Sequence, residues 1–326
     1  MSNNKDFKVK NGIQPTVYHE GLGTVVSGSI IVFGSHTYSN NSLSTASQET
    51  VPQAIYVGDS GAKLYVVGTA TGTIYQYTMS TAYDLSTATY ASKSFSVTSQ
   101  EANPRGISFK VDGTKVYVAG SSNGTVYQYS LSTAWDISTA SYDSVSFDMS
   151  TQTTLSVQGI CFSYDGLTLY GANTSTCYQY TLTTAWDVST ASYASKSLAA
   201  PSGDNIIDVS IDSTSSYFYL ISNTLDTVYE YELSTTGDIS TATATGQQVS
   251  ANSQETAVLG GFVTGDRSYV YVSGSSSDSV YQYSGGNITT KTLDLSTGSV
   301  FEVTPTSDIQ VTLSNPAASG TVSGAT

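Results

Sequence analysis

The stretch Val126-Tyr127-Gln128-Tyr129-Ser130-Leu131-Ser132-Thr133-Ala134-Trp135-Asp136-Ile137-Ser138-Thr139-Ala140-Ser141-Tyr142 decides how the chain is read, because it recurs. The same phrase appears earlier as Ile74-Tyr75-Gln76-Tyr77 running on to Ser80-Thr81-Ala82-Tyr83-Asp84. It appears later as Cys177-Tyr178-Gln179-Tyr180 running on to Thr184-Ala185-Trp186-Asp187. Two weaker copies follow, Val228-Tyr229-Glu230-Tyr231 with Thr236-Gly237-Asp238, and Val280-Tyr281-Gln282-Tyr283, which lacks the second half. The first tyrosines of the copies stand at 75, 127, 178, 229 and 281, so the period is 51 or 52 residues. A period that even marks one supersecondary unit stacked on copies of itself.

One unit divides into four β runs. Gly106 to Val111 is closed by the turn Asp112-Gly113, and Lys115 to Ala119 is followed by Ser122-Asn123-Gly124, a hairpin signal that matches strand twist. Thr125 to Leu131 and Ser141 to Phe147 complete it, and the second run carries a tyrosine every time, at Tyr65, Tyr117, Tyr170, Tyr219 and Tyr271. Along the third run Tyr127, Tyr129 and Leu131 face one way and Val126, Gln128 and Ser130 the other. Four antiparallel strands in about fifty residues make a propeller blade, a little longer than the roughly 40–45 residues of the commonest blade repeat. The expected fold is therefore all-β, a five-bladed propeller of about 51–52 residues per blade. The last repeat ends near Ser284 without a fourth strand, and Thr37 to Thr45 aligns with a fourth strand that has no third before it. Donating that N-terminal strand to the final blade would close the ring and remove a bare edge.

The domain boundaries expected on this register are an N-terminal β arm over residues 1–34, the propeller over 35–284, and a C-terminal β module over 285–326. In the arm, Lys5 to Gly12, Thr24-Val25-Val26 and Ile30 to Phe33 read as strands. In the tail, Thr292 to Leu295, Val300 to Val303 and Ile309 to Leu313 do so, and the two ends are expected to pair into a small β domain or to order against a partner.

Only 11% of residues are charged, with 25 carboxylates against 11 lysines and arginines and a net charge of −14. That balance repels nucleic acid and anionic membrane, so neither is expected as a partner. The first residues lack the apolar core of a signal peptide, and no run approaches a membrane span, so no membrane insertion is expected. The two cysteines, Cys161 and Cys177, stand where other repeats carry Ser108 and Val126, and they read as small strand residues without a disulfide.

Five-bladed propellers include glycoside hydrolases, whose paired carboxylates enter a central cavity from different blades. Asp59, Asp112, Asp165, Asp212 and Asp266 follow the inner strand once per unit, a pattern of turn chemistry. Asp84, Asp136, Asp187 and Asp238 recur in the corner phrase, where they would satisfy backbone donors, and Glu49, Glu101 and Glu255 recur as well. Asp208, with Asp204 nearby, is the unrepeated inner carboxylate, and one such group makes no acid/base pair. No catalytic residue, cofactor or metal is expected; oxygen-rich corners leave calcium as a weaker alternative, and His19 and His36 have no metal-spaced companions. The candidate contacts for a ligand or partner are Trp135, Trp186 and Tyr83 at the outer corners of the blades, weighed against simple packing on Leu131 or Ile137, together with Asp208.

The phrase Tyr-Gln-Tyr followed by Leu-Ser-Thr-Ala-Trp-Asp-Ile-Ser-Thr-Ala-Ser-Tyr resembles repeats in structural proteins of tailed bacteriophages, particularly marine ones. Lys5 to Gly12 looks like the opening of tail-fibre and related virion proteins, and Thr292 to Gly298 with Leu313-Ser314-Asn315-Pro316 is similar to a β module found there. The resemblance implies a non-enzymatic virion component assembled in the host cytoplasm, its propeller displayed as a tail-fibre or decoration head. Its implied partners are other virion proteins, reached through the terminal β segments, and a host-surface glycan or protein; a homo-oligomer is compatible with it. Those modules usually continue beyond a Ser-Gly-Thr stretch, so the C-terminal module is expected to be incomplete. A carbohydrate-binding surface adhesin is the alternative, and a propeller glycosidase stands behind it.

Overall fold

A computed structural model describes residues 33–285 except Leu155, together with the backbone of three short strands outside that range. Five four-stranded antiparallel sheets follow one another along the chain as five blades. Blade 1 comprises Pro52–Gly58, Lys63–Gly68, Thr73–Met79 and Ala88–Ser96. Blade 2 comprises Pro104–Phe109, Lys115–Gly120, Thr125–Leu131 and Ala140–Asp148. Gly159–Phe162, Thr168–Ala172, Thr176–Leu182 and Ala191–Ala199 form blade 3, and Ile206–Ile211, Tyr217–Ser222, Thr227–Leu233 and Ala242–Ser250 form blade 4. In each, the first strand is innermost, and the five inner strands pack side by side in a ring that closes from blade 5 back to blade 1.

Blade 5 takes Val258–Val263, Tyr269–Gly274 and Ser279–Gly285 from one end of the chain and His36–Ser44 from the other. The expected closure by an N-terminal strand is the observed one. Ser39 donates to Ser284 Oγ at 2.9 Å, and Tyr38 packs edge-on against Tyr281. The third strand of every other blade finds its outer partner by a local corner, whereas blade 5 has no corner, because its third and outer strands come from opposite ends of the chain.

Both faces of each sheet are covered, which accounts for the half-polar pattern of the third strand. Tyr77, Tyr129, Tyr180 and Tyr283 are buried, and their hydroxyls reach Gln48, Gln100, Gln152 and Gln254, so the apolar rings are enclosed and the polar tips are paired. The glutamine on the opposite face serves the neighbouring blade. Gln76, Gln128, Gln179 and Gln282 accept hydrogen bonds from the backbone N–H of Ile137, Val188, Ile239 and Leu85 in the next corner, at 2.9, 3.2, 3.1 and 2.8 Å. Those donors lie at the start of 3-10 turns, where no intrahelical acceptor exists. The corner aspartates cap the same turns, Asp84, Asp136, Asp187 and Asp238 each accepting from the backbone two residues on. Lys93 and Lys196 of the preceding outer strands add ion pairs to Asp136 and Asp238 at 2.6 and 2.7 Å, and Asn41 does the same by a hydrogen bond to Asp84.

Blade 4 meets a blade without a corner, and its third strand differs accordingly. Glu230 stands where the other blades carry glutamine, and its carboxylate takes Arg267 of blade 5 at 2.5 Å, with the guanidinium 3.7 Å above the Tyr217 ring. Burial pushes the Glu230 carboxyl up, and the arginine opposes that shift.

The recurrent Glu49, Glu101 and Glu255 lie buried at the end of the blade away from the corners. Each accepts backbone N–H groups from two loops, Glu49 from Val51, Ala70 and Thr71 for example. A separate three-stranded sheet pairs Gly28–Ser29 antiparallel with Ile309–Ser314, which runs parallel to Thr289–Asp294, so strands from the two ends do pair with each other. The remaining expected strands at Lys5 to Gly12, Thr24 to Val26 and Val300 to Val303, residues 30–32, and most of the expected segments 1–34 and 285–326, lie outside the described residues. Among the described residues no helix is long and apolar enough to cross a membrane.

Candidate functional site at the propeller mouth

The corner phrase, read from sequence as an outer feature, turns inward. Tyr83, Trp135 and Trp186 each adopt a left-handed backbone, with φ of 63°, 62° and 64°, and this throws the ring back across the turn between the inner and second strands of its own blade. The turns beneath are glycine, and a Cβ on Gly61, Gly113 or Gly166 would lie within 2.5 Å of the ring above it. The rings also reach the preceding blade. Trp135 covers Gly58 of blade 1, Trp186 lies against Tyr117 of blade 2, and Tyr83 stacks on Tyr269 of blade 5 at 5.5 Å and 8°. Behind them the recurrent second-strand tyrosine is buried and donates to the carbonyl of the corner residue one blade on. Tyr65, Tyr117, Tyr170 and Tyr271 reach Trp135, Trp186, Gly237 and Tyr83 at 2.7, 2.6, 2.7 and 2.7 Å.

These corners and the inner-strand turns surround a cavity of about 300 Å³ at one end of the propeller axis. Tyr83, Trp135, Trp186 and Asp208, the four candidates singled out from sequence, all line it. The two tryptophans are foremost packing residues: Trp186 is 8% exposed, Trp135 stacks on Phe109, and the clusters they join include Leu131, Ile137, Leu182 and Val188.

Asp208 is 4% exposed. It occupies the inner-strand position held by Ala54, Gly106, Gly159 and Gly260 elsewhere, where a Cβ on Gly159 would collide with it. Its oxygens accept from Val209 N at 2.9 Å and from Gly261 N of blade 5 at 3.1 Å. Burial nevertheless dominates and pushes the carboxyl well above the ordinary carboxylate range, favouring the neutral acid. Beside it, the thiol of Cys161 is pushed up by burial; Cys161 and Cys177 are free and buried.

The five aspartates following the inner strand are not equivalent. Asp112, Asp165 and Asp266 occupy one turn position and accept from the backbone two residues on, at Thr114, Leu167 and Ser268. Asp212 stands two positions earlier in its turn and accepts from Ser216 and Tyr217, both at 2.8 Å. Asp59 stands one position earlier than the main set, and among the described residues its carboxylate makes no hydrogen bond or ion pair. The five turns are equal in length, and the aspartate itself is displaced within them by one residue at Asp59 and by two at Asp212, although all five read in the sequence as the same turn residue. Among the described residues no group of three histidine, cysteine, aspartate or glutamate side chains could hold a metal ion.

The tip of the same turn supplies four residues that sequence reasoning passed over, beside Asp59, which it read as turn chemistry. Asp59, Val111, Tyr164, Ser213 and Gly265 occupy one structural position in the five blades, and all of them line the cavity. The signal was available as the turn position at which five otherwise similar repeats carry five different residues.

No protein-family model matches the chain, and no curated protein matches it. Among solved structures it is similar to a candidate 6-phosphogluconolactonase from Bacteroides fragilis NCTC 9343, at 16% identity and a TM-score of 0.41 over 61% of this chain and 55% of that one. The chain thus spans just over half the length of that protein. It is also similar to the β-propeller domain of Cps50 from Myceliophteria thermophila, at 10% identity and a TM-score of 0.45 over 76% of this chain and 99% of that one. A protein from Lactobacillus plantarum matches at 16% identity and a TM-score of 0.43, over 72% and 67% of the two chains. Likenesses at this level carry neither activity nor ligand to the present chain.

Proposed function

We propose that the chain is a non-enzymatic structural component of a tailed-phage particle, with the propeller displayed as a tail-fibre or decoration head that contacts the host surface. The terminal β segments dock it to other virion proteins. The observation that carries the non-enzymatic part is the state of the mouth carboxylates. Asp208 is buried with both oxygens taken by backbone N–H groups, and Asp212 and Asp266 are held in their own turns. A glycosidase needs two carboxylates free to exchange protons with substrate and water, and among the described residues the mouth offers a single unengaged one, Asp59. The repeat and terminal motifs that resemble virion proteins support the particle assignment, and the blade-to-blade locks suit a head that must keep its shape. Mass spectrometry of purified virions tests the reading: the protein is expected among the particle's components, and its absence overturns the proposal. A carbohydrate-binding adhesin on a cell surface is the second reading, favoured by the aromatic wall of the mouth; it shares the recognition head and differs in where the head is displayed.

A further inference from the structure

The five copies agree at the second-strand tyrosine and disagree at the turn tips that reach the mouth. The second-strand tyrosine is the same in all five blades, while the tip residues Asp59, Val111, Tyr164, Ser213 and Gly265 differ in every blade and converge on one cavity. A mouth that only capped the axis could use one tip residue five times. The divergence gives the cavity a sided chemistry. On blades 2 and 3 the tips are apolar and open to solvent, Val111 being 41% and Tyr164 60% exposed. On blades 4, 5 and 1 they are small or polar.

Asp59 has a second peculiarity. Its turn is left-handed at three successive residues, Asp59, Ser60 and Gly61, with φ of 51°, 52° and 86°. The equivalent turns are left-handed only at their last residue, Gly113, Gly166, Ser215 or Arg267. A left-handed backbone is costly for residues that carry a Cβ, and such strain gathers at ligand sites. Here it accompanies the one mouth carboxylate with no partner among the described residues. Among the described residues no lysine, arginine or histidine lines the cavity, whereas Asp59, Asp208, Asp212 and Asp266 do, so an anionic ligand is disfavoured. At about 300 Å³ the space lies at the small end of ligand pockets.

We propose that the mouth binds the terminal residue of a neutral glycan, the Tyr164 ring stacking on an apolar sugar face and the Asp59 carboxylate accepting hydrogen bonds from sugar hydroxyls. A pyranose pairs an apolar C–H face with a rim of hydroxyls that must be matched when they leave water, and this combination fits an exposed aromatic and an unengaged acceptor that line one cavity. The site deepens the reading of the propeller as a recognition head and rests on it. A quaternary ammonium head also suits aromatic and acidic surroundings, but it carries no N–H or O–H of its own to donate to Asp59 and no flat apolar face to stack on Tyr164.

The test uses the purified full chain. Both of its tryptophans, Trp135 and Trp186, line the cavity, so intrinsic fluorescence reports occupancy. Galactose, glucose, mannose and N-acetylglucosamine are titrated through the millimolar range, with sialic acid and choline as comparators. At least one neutral sugar is expected to saturate. Tyr164→Ala and Asp59→Asn should each weaken it about tenfold or more, equivalent to about 1.4 kcal/mol. Tyr164→Phe should retain binding, and all three variants should melt like the parent. The proposal is overturned if no neutral sugar saturates, if both substitutions leave the affinity unchanged, or if only choline or sialic acid binds. Virion mass spectrometry and sugar titration have separate readouts, so either reading can fall while the other stands.

Discussion

The lock between corner aromatic and turn glycine can be tested by building blade 4's solution into blade 2. Blade 2 pairs Trp135 with Gly113; blade 4 pairs Gly237 with Ser215, and Ser215 has the same left-handed backbone at φ 55°. Gly113→Ser alone puts a Cβ 2.2 Å from Trp135 Cδ2 and on a backbone with φ of 73°. The conformational cost is about 1–2 kcal/mol. Displacing the ring adds about 1–3 kcal/mol, as for other overpacked sites. Together these predict a loss of about 2–5 kcal/mol, or about 4–20 °C in Tm for a unit of this size. Trp135→Gly alone removes a half-buried ring and relaxes the strained corner, for a net cost of about 2 kcal/mol. In the double variant the collision disappears, so its loss should be smaller than the sum of the singles by about 1–3 kcal/mol. Urea unfolding of the parent, both singles and the double gives this coupling directly. Additivity within about 0.5 kcal/mol would refute the claim that the ring and the missing Cβ are one device.

Three further expectations concern closure, the seam and pH. Deleting residues 1–46 removes the outer strand of blade 5 and should abolish cooperative unfolding by calorimetry; a truncated chain that melts as sharply as the parent would disprove the closure. Glu230→Gln restores the residue of the other blades but strips Arg267 of its counter-charge, and should cost about 3 kcal/mol, most of it recovered when Arg267→Gly is added, since no buried charge then remains unpaired. Asp208 holds its proton to a higher pH in the fold than in the unfolded chain, so its contribution is complete below the unfolded value near about pH 4 and is lost as pH rises through the folded value. Asp208→Ala, which supplies the residue of blade 1, should therefore gain in Tm relative to the parent as pH is raised from about 4 to about 8, and a difference that stays flat would argue that the carboxyl remains ionised.

Much of the architecture is legible in the sequence. The tyrosine period gave the blade count, the four β runs gave the strands, and the orphan fourth strand at Thr37 to Thr45 pointed to the closure. Turn and corner aspartates were legible because their work is local: a carboxylate accepting from the backbone two residues on is set by sequence neighbours alone. Glu230 looked like a weakened copy of a glutamine. Its meaning depends on Arg267 of the next blade, which no pattern within a single repeat discloses.

The candidate site was less legible. All four residues singled out do line the mouth, yet their roles depend on directions that a linear pattern does not carry. The left-handed corners of Tyr83, Trp135 and Trp186 turn rings expected at the outside onto glycines near the axis. The near-equivalence of five aspartates concealed Asp59, whose distinction lies in a backbone twist and in the absence of a bond. Periodic residues repeat because each meets the same neighbours in every blade, so local alternation and spacing were enough to specify blade, sheet and capping. Asymmetry around the axis arises only when residues about fifty positions apart are brought to one cavity, and there it was the closed ring that determined which tip faces which and which carboxylate remains unengaged.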